Sequence, residues 1–564
     1  MITRRITLAI ALALVLPACP AAVQETLDEG PDPVVEEFVA AWNEEDFEAI
    51  DDLLLDSPAM SHWHPGALRV YWQKVLRQGQ ITDHEISLVG IEETDEGSPA
   101  PYDVEYSITY RSEASPDAVT FSGALPVRQK DGDWGVAWSR HVAWPGLDRA
   151  RGFRILQSWL PRGRIKDRAG RTLASGREAE RSYPFGSTGG TTVGHLEPAS
   201  KKTVFDRLVG GSGLEEAFDE HLAGEPTQRL AVVAGQKVLE RSAPVRGKKG
   251  KNLKTTLDGR VQQAAEGAFG GTIGGAVVLD PRSGDILAAV DSSAFDPGNY
   301  VGASNVEPFN RALSGLYPPG SSLKVMTASA ALDTGEVKTS TILTGPSEYR
   351  GVRNFESGEF GSIDFGTALK FSVNTAFAQV ALRLGSKKLH RYAGRFGFNR
   401  PPRMALQAGS SSFPKPLDEG DLMWGSIGQA QVLATPLQMA TVAATVANDG
   451  KRMEPRIDMG VAPRGRRAID VKTARTMKEL MRNVVLGGTG VAANVSGLEV
   501  AGKTGTAEVD VAGERKNHAW FICFAPASDP KVAVAVVSEY GGVGGQVAAP
   551  LARSILTSVW PHLR

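Results

Sequence analysis

Tyr317-Pro318-Pro319-Gly320-Ser321-Ser322-Leu323-Lys324 leads into residues 323–332, a run of mostly good helix formers. Two prolines and a glycine stop a helix from arriving from upstream, so a helix begins at Ser321. The first N–H groups of a helix lack intrahelical partners and its dipole favours negative charge, so charge developing near Ser321 is stabilised. Lys324 lies one turn on, on the same face and within reach of the Ser321 hydroxyl. A serine hydroxyl is a weak nucleophile until a base takes its proton. A lysine serves as that base if burial or a nearby cation lowers its pKa. The pattern Ser-x-x-Lys recurs at Ser412-Phe413-Pro414-Lys415. There Pro414 sits inside the motif, so no helical turn aligns the two side chains.

Two later stretches offer partners. Ser372-Val373-Asn374 joins a short helical stretch, 363–369, to a longer one, 375–384. Its hydroxyl and amide suit a proton relay and an amide clamp, although Ser and Asn are common in loops and the triplet alone decides nothing. Lys503-Thr504-Gly505-Thr506 lies among small and β-branched residues that favour a strand. Lys503 supplies a fixed positive charge, and Gly505 leaves room for a ligand backbone to lie close. Gly497 to Thr504 also spells the phosphate-loop pattern G-x-x-x-x-G-K-[ST]. That loop must open a helix, whereas Gly505 to Gly513 reads as strand and then turn. Without the helix there is no phosphate cradle.

At 564 residues the chain exceeds one hydrophobic core and should divide into about three or four domains. A hydrophobic share of 42% and a charged share of 22% fit folded protein. A net charge of −2 gives no reason to expect nucleic-acid binding. Two cysteines, Cys19 and Cys523, exclude a disulfide framework, a cysteine-based zinc site and an iron–sulfur cluster. His62 and His64 flank Trp63 with no acidic third ligand beside them, so neither metal nor cofactor is expected.

Arg4 and Arg5 precede the apolar run 6–16, long enough for a signal-peptide core and too short to span a bilayer. Its end, Leu16-Pro17-Ala18-Cys19, resembles the lipobox of bacterial lipoproteins, which makes Cys19 the lipidated residue. An uncleaved anchor over 6–23 is the alternative. Residues 20–31 read as a tether. Val35, Phe38, Val39, Trp42, Phe47, Ile50, Leu53 and Leu54 recur at helical spacing, and alternating stretches follow at 104–110, 119–127 and 135–138. From Leu253 onward, 257–269 is helical. Residues 275–290 then form a hairpin, 531–540 a strand and 547–560 a closing helix.

Taken in order, Ser321-x-x-Lys324, Ser372-x-Asn374 and Lys503-Thr504-Gly505 resemble the motifs of penicillin-binding proteins and serine β-lactamases. Phe309-Asn310-Arg311-Ala312, Gly425-Ser426-Ile427-Gly428-Gln429, Gly487-Gly488-Thr489-Gly490 and His518-Ala519-Trp520-Phe521 extend the likeness. Arg162 to Gly170 resembles the start of the pedestal, or dimerisation, domain of class B members. The helices and sheet before it resemble the cone of nuclear transport factor 2 (NTF2). The resemblance implies a multidomain α+β chain: 1–19 signal peptide or anchor, 20–31 linker, 32–147 NTF2-like cone, 148–250 mixed pedestal, and 251–564 transpeptidase domain with an antiparallel sheet flanked by helices.

It also implies a chemistry. Ser321 attacks the carbonyl between the two terminal D-alanines of a peptidoglycan stem peptide, Lys324 accepts its proton, and Ser372 passes a proton to the leaving amine. Asn374 orients the substrate amide, while Lys503, Thr504 and Thr506 receive the terminal carboxylate. The N–H groups of Ser321 and Thr506 form the oxyanion hole. A second stem peptide's amine then takes the acyl group, and β-lactams are trapped at the acyl stage. Expected partners are stem peptides, β-lactams, the outer face of the cytoplasmic membrane through the N-terminal lipid or anchor, and cell-wall glycosyltransferases. A D,D-carboxypeptidase or endopeptidase, a β-lactamase, and a β-lactam sensor without turnover remain as alternatives.

Overall fold

The structure, a computed structural model, describes residues 30–55, 65–94, 102–137, 151–199, 207–293, 295–302 and 309–563. The leader with Cys19, and the His62–His64 pair, lie outside the described residues. Among the described residues no helix is long and apolar enough to cross a membrane. Packing divides the chain into two units. One holds the described residues through Ser158 together with Thr227–Arg246; the other holds Trp159–Pro226 and the chain from Gly247 onward.

In the first unit the helical spacing noted above becomes α1 (Asp32–Asn43), which buries Val35, Phe38 and Trp42. A second helix, α2 (Phe47–Asp52), starts at Asp46, whose carboxylate accepts from the N–H groups of Glu48 and Ala49. After α3 (Pro65–Gly79) come β1 (Ile81–Glu93), β2 (Tyr102–Ser112), β3 (Val119–Lys130) and β4 (Asp133–Ala137), an antiparallel meander. Every second residue of β2 from Val104 to Tyr110 is buried, as a sheet with one covered face requires. A second, three-stranded sheet is built from β5 (Arg151–Ser158), β6 (Thr227–Ala234) and β7 (Lys237–Arg241). Phe153, Leu230 and Val232 from it join the core that contains Trp42 and Tyr110. Because β5 pairs along its whole length with β6, the packing shares the expected 148–250 segment between the two units.

The second unit begins with a buried ion network. Arg162 donates to Glu215 at 2.8 Å and to Asp219 at 2.7 Å, and buried Asp167 accepts from the N–H groups of Arg171 and Gly259. The central sheet comes from β8 (Gly274–Asp280), β9 (Asp285–Asp291), β10 (Ala501–Val511), β11 (Glu514–Ala525) and β12 (Val532–Ser538). Its order is β9-β8-β12-β11-β10, antiparallel throughout. Both faces of β8, β9 and β12 are covered, which is why these three strands read as nearly continuous apolar runs. Ala276, Val278, Val534 and Val536 face α4 (Gly259–Phe269) and the closing helix Ala548–Val559, while Val277, Leu279, Ala535 and Val537 join the larger helical core. That core holds α5 (Lys324–Asp333), α6 (Phe365–Lys370), α7 (Asn374–Phe396, bent at Gly385) and α8 (Pro436–Ala447), whose every residue is buried.

Two sequence expectations are settled here and one is corrected. Strand β10 runs unbroken through Lys503 and Thr504, so no helix opens after them and the phosphate-loop pattern is a coincidence. Ser412 pairs with Leu433 in an isolated bridge outside any helix. The helix expected over 363–369 begins two residues later. Gly361–Asp364 is a strand pairing with Ile342–Gly345, and the Asp364 carboxylate caps α6 by accepting from Thr367 N–H at 2.7 Å.

The turn Gly320–Leu323 is a single 3-10 turn that enters α5. It is pinned on several sides. Tyr317 exchanges backbone hydrogen bonds with Ala434, Gly320 N–H donates to Gly428 O at 2.9 Å, and the buried Trp520 indole donates to Pro318 O at 3.0 Å. Trp520→Phe keeps a ring in the sheet but strands the Pro318 carbonyl, a loss of about 1–3 kcal/mol. The expected outcome is a lower thermal midpoint and slower acylation of Ser321 by a serine-directed probe. Unchanged acylation would show that the turn is held without this bond.

Candidate active site

Edge strand β10 and the Gly320–Leu323 turn touch through their glycines. Gly320 has φ of 52°, and a β-carbon there would lie 2.4 Å from Thr506 O. A β-carbon on Gly505 would lie 2.8 Å from Pro319 O and 3.0 Å from Ser322 N. The space that Gly505 leaves is therefore filled by the protein's own nucleophile turn. This corrects the expectation that a ligand backbone would occupy it. Ser321 is brought beside Thr506 as a result. Within one strand residue N–H and C=O point the same way, so Thr506, whose carbonyl faces Gly320, also turns its N–H toward the turn.

Lys324 is fully buried at the start of α5. Its Nζ is 2.7 Å from Ser372 O, 3.2 Å from Ser372 Oγ and 2.6 Å from Asn374 Oδ1. None of these is the Ser321 hydroxyl, which lines the cleft and has no hydrogen bond among the described residues. Lys503, also fully buried, reaches the same serine from the other side: Nζ is 2.8 Å from Ser372 Oγ and 3.0 Å from Thr504 O. One hydroxyl thus stands between two lysine nitrogens. Burial, and then the charge of Lys503, hold Lys324 well below the ordinary lysine range. Burial lowers Lys503 to about 7.

The geometry around Ser372 follows from its backbone. Its φ is 59°, a left-handed conformation that costs a serine about 1–2 kcal/mol. In that conformation the Ser372 carbonyl and hydroxyl both contact Lys324. Val373 is buried, and Asn374 opens α7. Asn374 is oriented by a group that sequence reading did not single out. Its Nδ2 donates to Arg353 O at 2.8 Å, which leaves Oδ1 facing Lys324. The neighbouring Asn354 is buried and fixes that carbonyl's turn. Its amide donates to Pro346 O and Gly358 O, both at 2.8 Å, and its oxygen accepts from Thr375 N–H at 3.0 Å. A lone Asn in a turn gives no motif to find.

Thr489, from the glycine-rich stretch noted above, meets Thr504 hydroxyl to hydroxyl at 2.6 Å. Thr506 Oγ1 accepts from Gly544 N–H at 3.2 Å. Ser321, Ser372, Asn374, Thr504 and Thr506 line one cleft of about 730 Å³. Lys324 and Lys503 lie beneath it, joined through Ser372. The arrangement supplies an alcohol nucleophile on a helix-start turn, an amine held toward its neutral form, and a second lysine, charged below about pH 7, beside a row of threonine hydroxyls. These are the parts needed to acylate a serine with a substrate that carries an anionic end.

Residues 274–557 match the penicillin binding protein transpeptidase domain, 175–255 the penicillin-binding protein dimerisation domain, and 30–151 the NTF2-like N-terminal transpeptidase domain. The chain is 35% identical over 362 residues to the peptidoglycan D,D-transpeptidase PbpA of Mycobacterium tuberculosis, covering 55% of this chain and 73% of that one. It is 36% identical over 400 residues to PbpA of Mycolicibacterium smegmatis, covering 62% and 79%. A crystal structure of PBPA from M. tuberculosis aligns with a TM-score of 0.59 at 31% identity over 71% of this chain and 98% of that one. The penicillin G acyl-enzyme complex of that protein aligns with a TM-score of 0.59 at 30% identity, over 71% and 99%. With more than half of its length matched by the transpeptidase domain, and that domain's fold in place, the chain belongs to the penicillin-binding protein transpeptidase family.

Proposed function

We propose that this chain is a peptidoglycan D,D-transpeptidase that works through an acyl-enzyme on Ser321 and is acylated by β-lactams. The observation that carries the reading is the Ser372 hydroxyl lying 3.2 Å from Lys324 Nζ and 2.8 Å from Lys503 Nζ. A neutral Lys324 has two N–H bonds and one lone pair. The Ser372 carbonyl and the Asn374 Oδ1 can only accept, so they take the two N–H bonds. The lone pair is left for a hydroxyl proton. With Lys503 charged and donating to Ser372 Oγ, the Ser372 O–H rests on that lone pair and turns away when the Ser321 proton arrives to take it.

In this reading Ser321 Oγ attacks the carbonyl carbon of the penultimate D-alanine while its proton passes to Lys324. The oxyanion that forms is held by the N–H groups of Ser321 and Thr506. The C–N bond then breaks, and the leaving D-alanine amine takes a proton through Ser372. Lys503, Thr504 and Thr506 hold the terminal carboxylate, with Thr489 fixing the Thr504 hydroxyl. Attack by a second stem peptide's amine reverses these transfers and forms the cross-link. The NTF2-like residues 32–147 serve as a spacer, lipidated Cys19 or an uncleaved anchor holds the chain to the outer face of the cytoplasmic membrane, and glycosyltransferases supply the strands to be joined.

Incubation with a fluorescent penicillin tests the acyl-enzyme. The expected result is stable labelling that Ser321→Ala abolishes. Rapid release of label would instead indicate a β-lactamase. With a stem-peptide substrate and an added amine, the expected product is the transferred peptide. Hydrolysis alone would indicate a carboxypeptidase or endopeptidase, and no turnover a sensor.

The pH profile has a defined sign. Acylation needs Lys324 neutral and Lys503 charged. For a penicillin bearing a carboxylate, kcat/KM should rise as Lys324 loses its proton and fall above about pH 7 as Lys503 loses its own. Lys503→Arg keeps the charge, so the alkaline limb should move up beyond about pH 9 even if the absolute rate falls. An alkaline limb left in place would remove Lys503 from this role.

A further inference from the structure

The transpeptidase unit carries a second charged cavity, of about 220 Å³, lined by residues outside the catalytic cleft. Five arginines line it, Arg400, Arg403, Arg456, Arg464 and Arg466, with Glu454 as the one acidic residue in its wall. Glu454 is already paired with Arg452, and Arg456 with Asp285. The exposed side chains of Arg400, Arg403, Arg464 and Arg466 have no ion pair or hydrogen bond among the described residues. Such crowding is not a by-product of a basic chain, because Asp and Glu (64) outnumber Lys and Arg (62) overall.

Three further observations indicate that the charge is built in. The hairpin Lys451–Met453 with Gly465–Arg467 sets Lys451 opposite Arg467 and Arg452 opposite Arg466. Like charges directly opposite each other destabilise a ladder unless something neutralises them, and among the described residues only Arg452 of these four has a carboxylate partner, Glu454. Arg452 is 5% exposed and its Nε has no hydrogen-bond partner among the described residues; it lines an adjoining hollow whose wall shares Arg400 and Glu454 with the larger cavity. Arg400 and Arg403 also stand at the two ends of Pro401-Pro402, on a loop tied down by Asn399, whose side chain exchanges two hydrogen bonds with the Phe413 backbone at 2.9 and 2.7 Å. The tie fixes where the two side chains leave the backbone, so binding has only their rotamers to order.

We propose that this cavity binds a phosphate-bearing anion. Guanidinium forks match phosphoryl oxygens two at a time. Four unpaired forks exceed what a single carboxylate, with one charge and two oxygens, can satisfy. The phosphate can belong to a lipid headgroup or to a soluble or polymer-borne group, and the experiment separates these sources.

The full chain and its Arg403→Gln/Arg464→Gln variant are titrated with inorganic pyrophosphate, with acetate at matched ionic strength as control, and followed by calorimetry. Both proteins are also mixed with vesicles of phosphatidylglycerol or of phosphatidylcholine. Penicillin labelling of the variant, expected to equal that of the parent, shows that it is folded. Saturable pyrophosphate binding that acetate does not reproduce, weakened about ten-fold or more in the variant, supports the site. A matching loss of the excess binding to phosphatidylglycerol vesicles assigns the phosphate to a lipid, and its absence assigns it to a soluble or polymer-borne group. Equal pyrophosphate binding by parent and variant, or none by either, overturns the proposal.

Discussion

Two lysine side chains buried against one serine hydroxyl set the terms for the rest of the transpeptidase unit. Water cannot solvate either ammonium fully, and two positive charges either side of Ser372 Oγ repel each other in a medium that screens poorly. The favourable compromise is one charged and one neutral amine. The surroundings decide which is which. Lys324, buried like Lys503, is depressed further by its neighbour's charge. Lys503 sits on the strand that borders the cleft, beside the Thr504 hydroxyl. An anionic substrate end at that position would favour its charged form. The base and the cation therefore differ because of where the fold places them, although the residue type is the same.

Holding that pair requires three chain segments to meet within hydrogen-bond distance. The 3-10 turn at Ser321 lies on β10 because Gly320 and Gly505 have no β-carbons to keep them apart. The Ser372 loop meets Lys324 through a left-handed serine, and Asn374 meets it with its oxygen because its nitrogen is committed to Arg353 O. Asn354 stands behind that carbonyl. The reactive groups are thus supported by a layer of main-chain hydrogen bonds and close glycine contacts.

Much of this could be read from the sequence, for identifiable reasons. Prolines and a glycine before Ser321 mark a helix start locally, and continuous apolar runs mark strands covered on both faces. The three motifs are short and lie on separate elements, so their residues were identifiable before any geometry was known. Other features depend on partners distant in the chain and had no local signal. The pairing of β5 with β6 moves part of the expected pedestal segment into the first unit's core. Gly505 reads as open space until the turn that fills it is seen. Asp364 ends a strand and caps a helix, whereas periodicity alone runs the helix through it. The role of Asn354 lies wholly in its neighbours' carbonyls.

Among all these relations, the protonation state of Lys324 is the one on which the chemistry turns. Protein labelled with 15N at lysine Nζ, with the Lys324 signal assigned by its absence in Lys324→Arg, reports that state directly across a pH titration. The account predicts a midpoint well below the ordinary lysine value of 10.5. A Lys324 that titrates together with the surface lysines would contradict it.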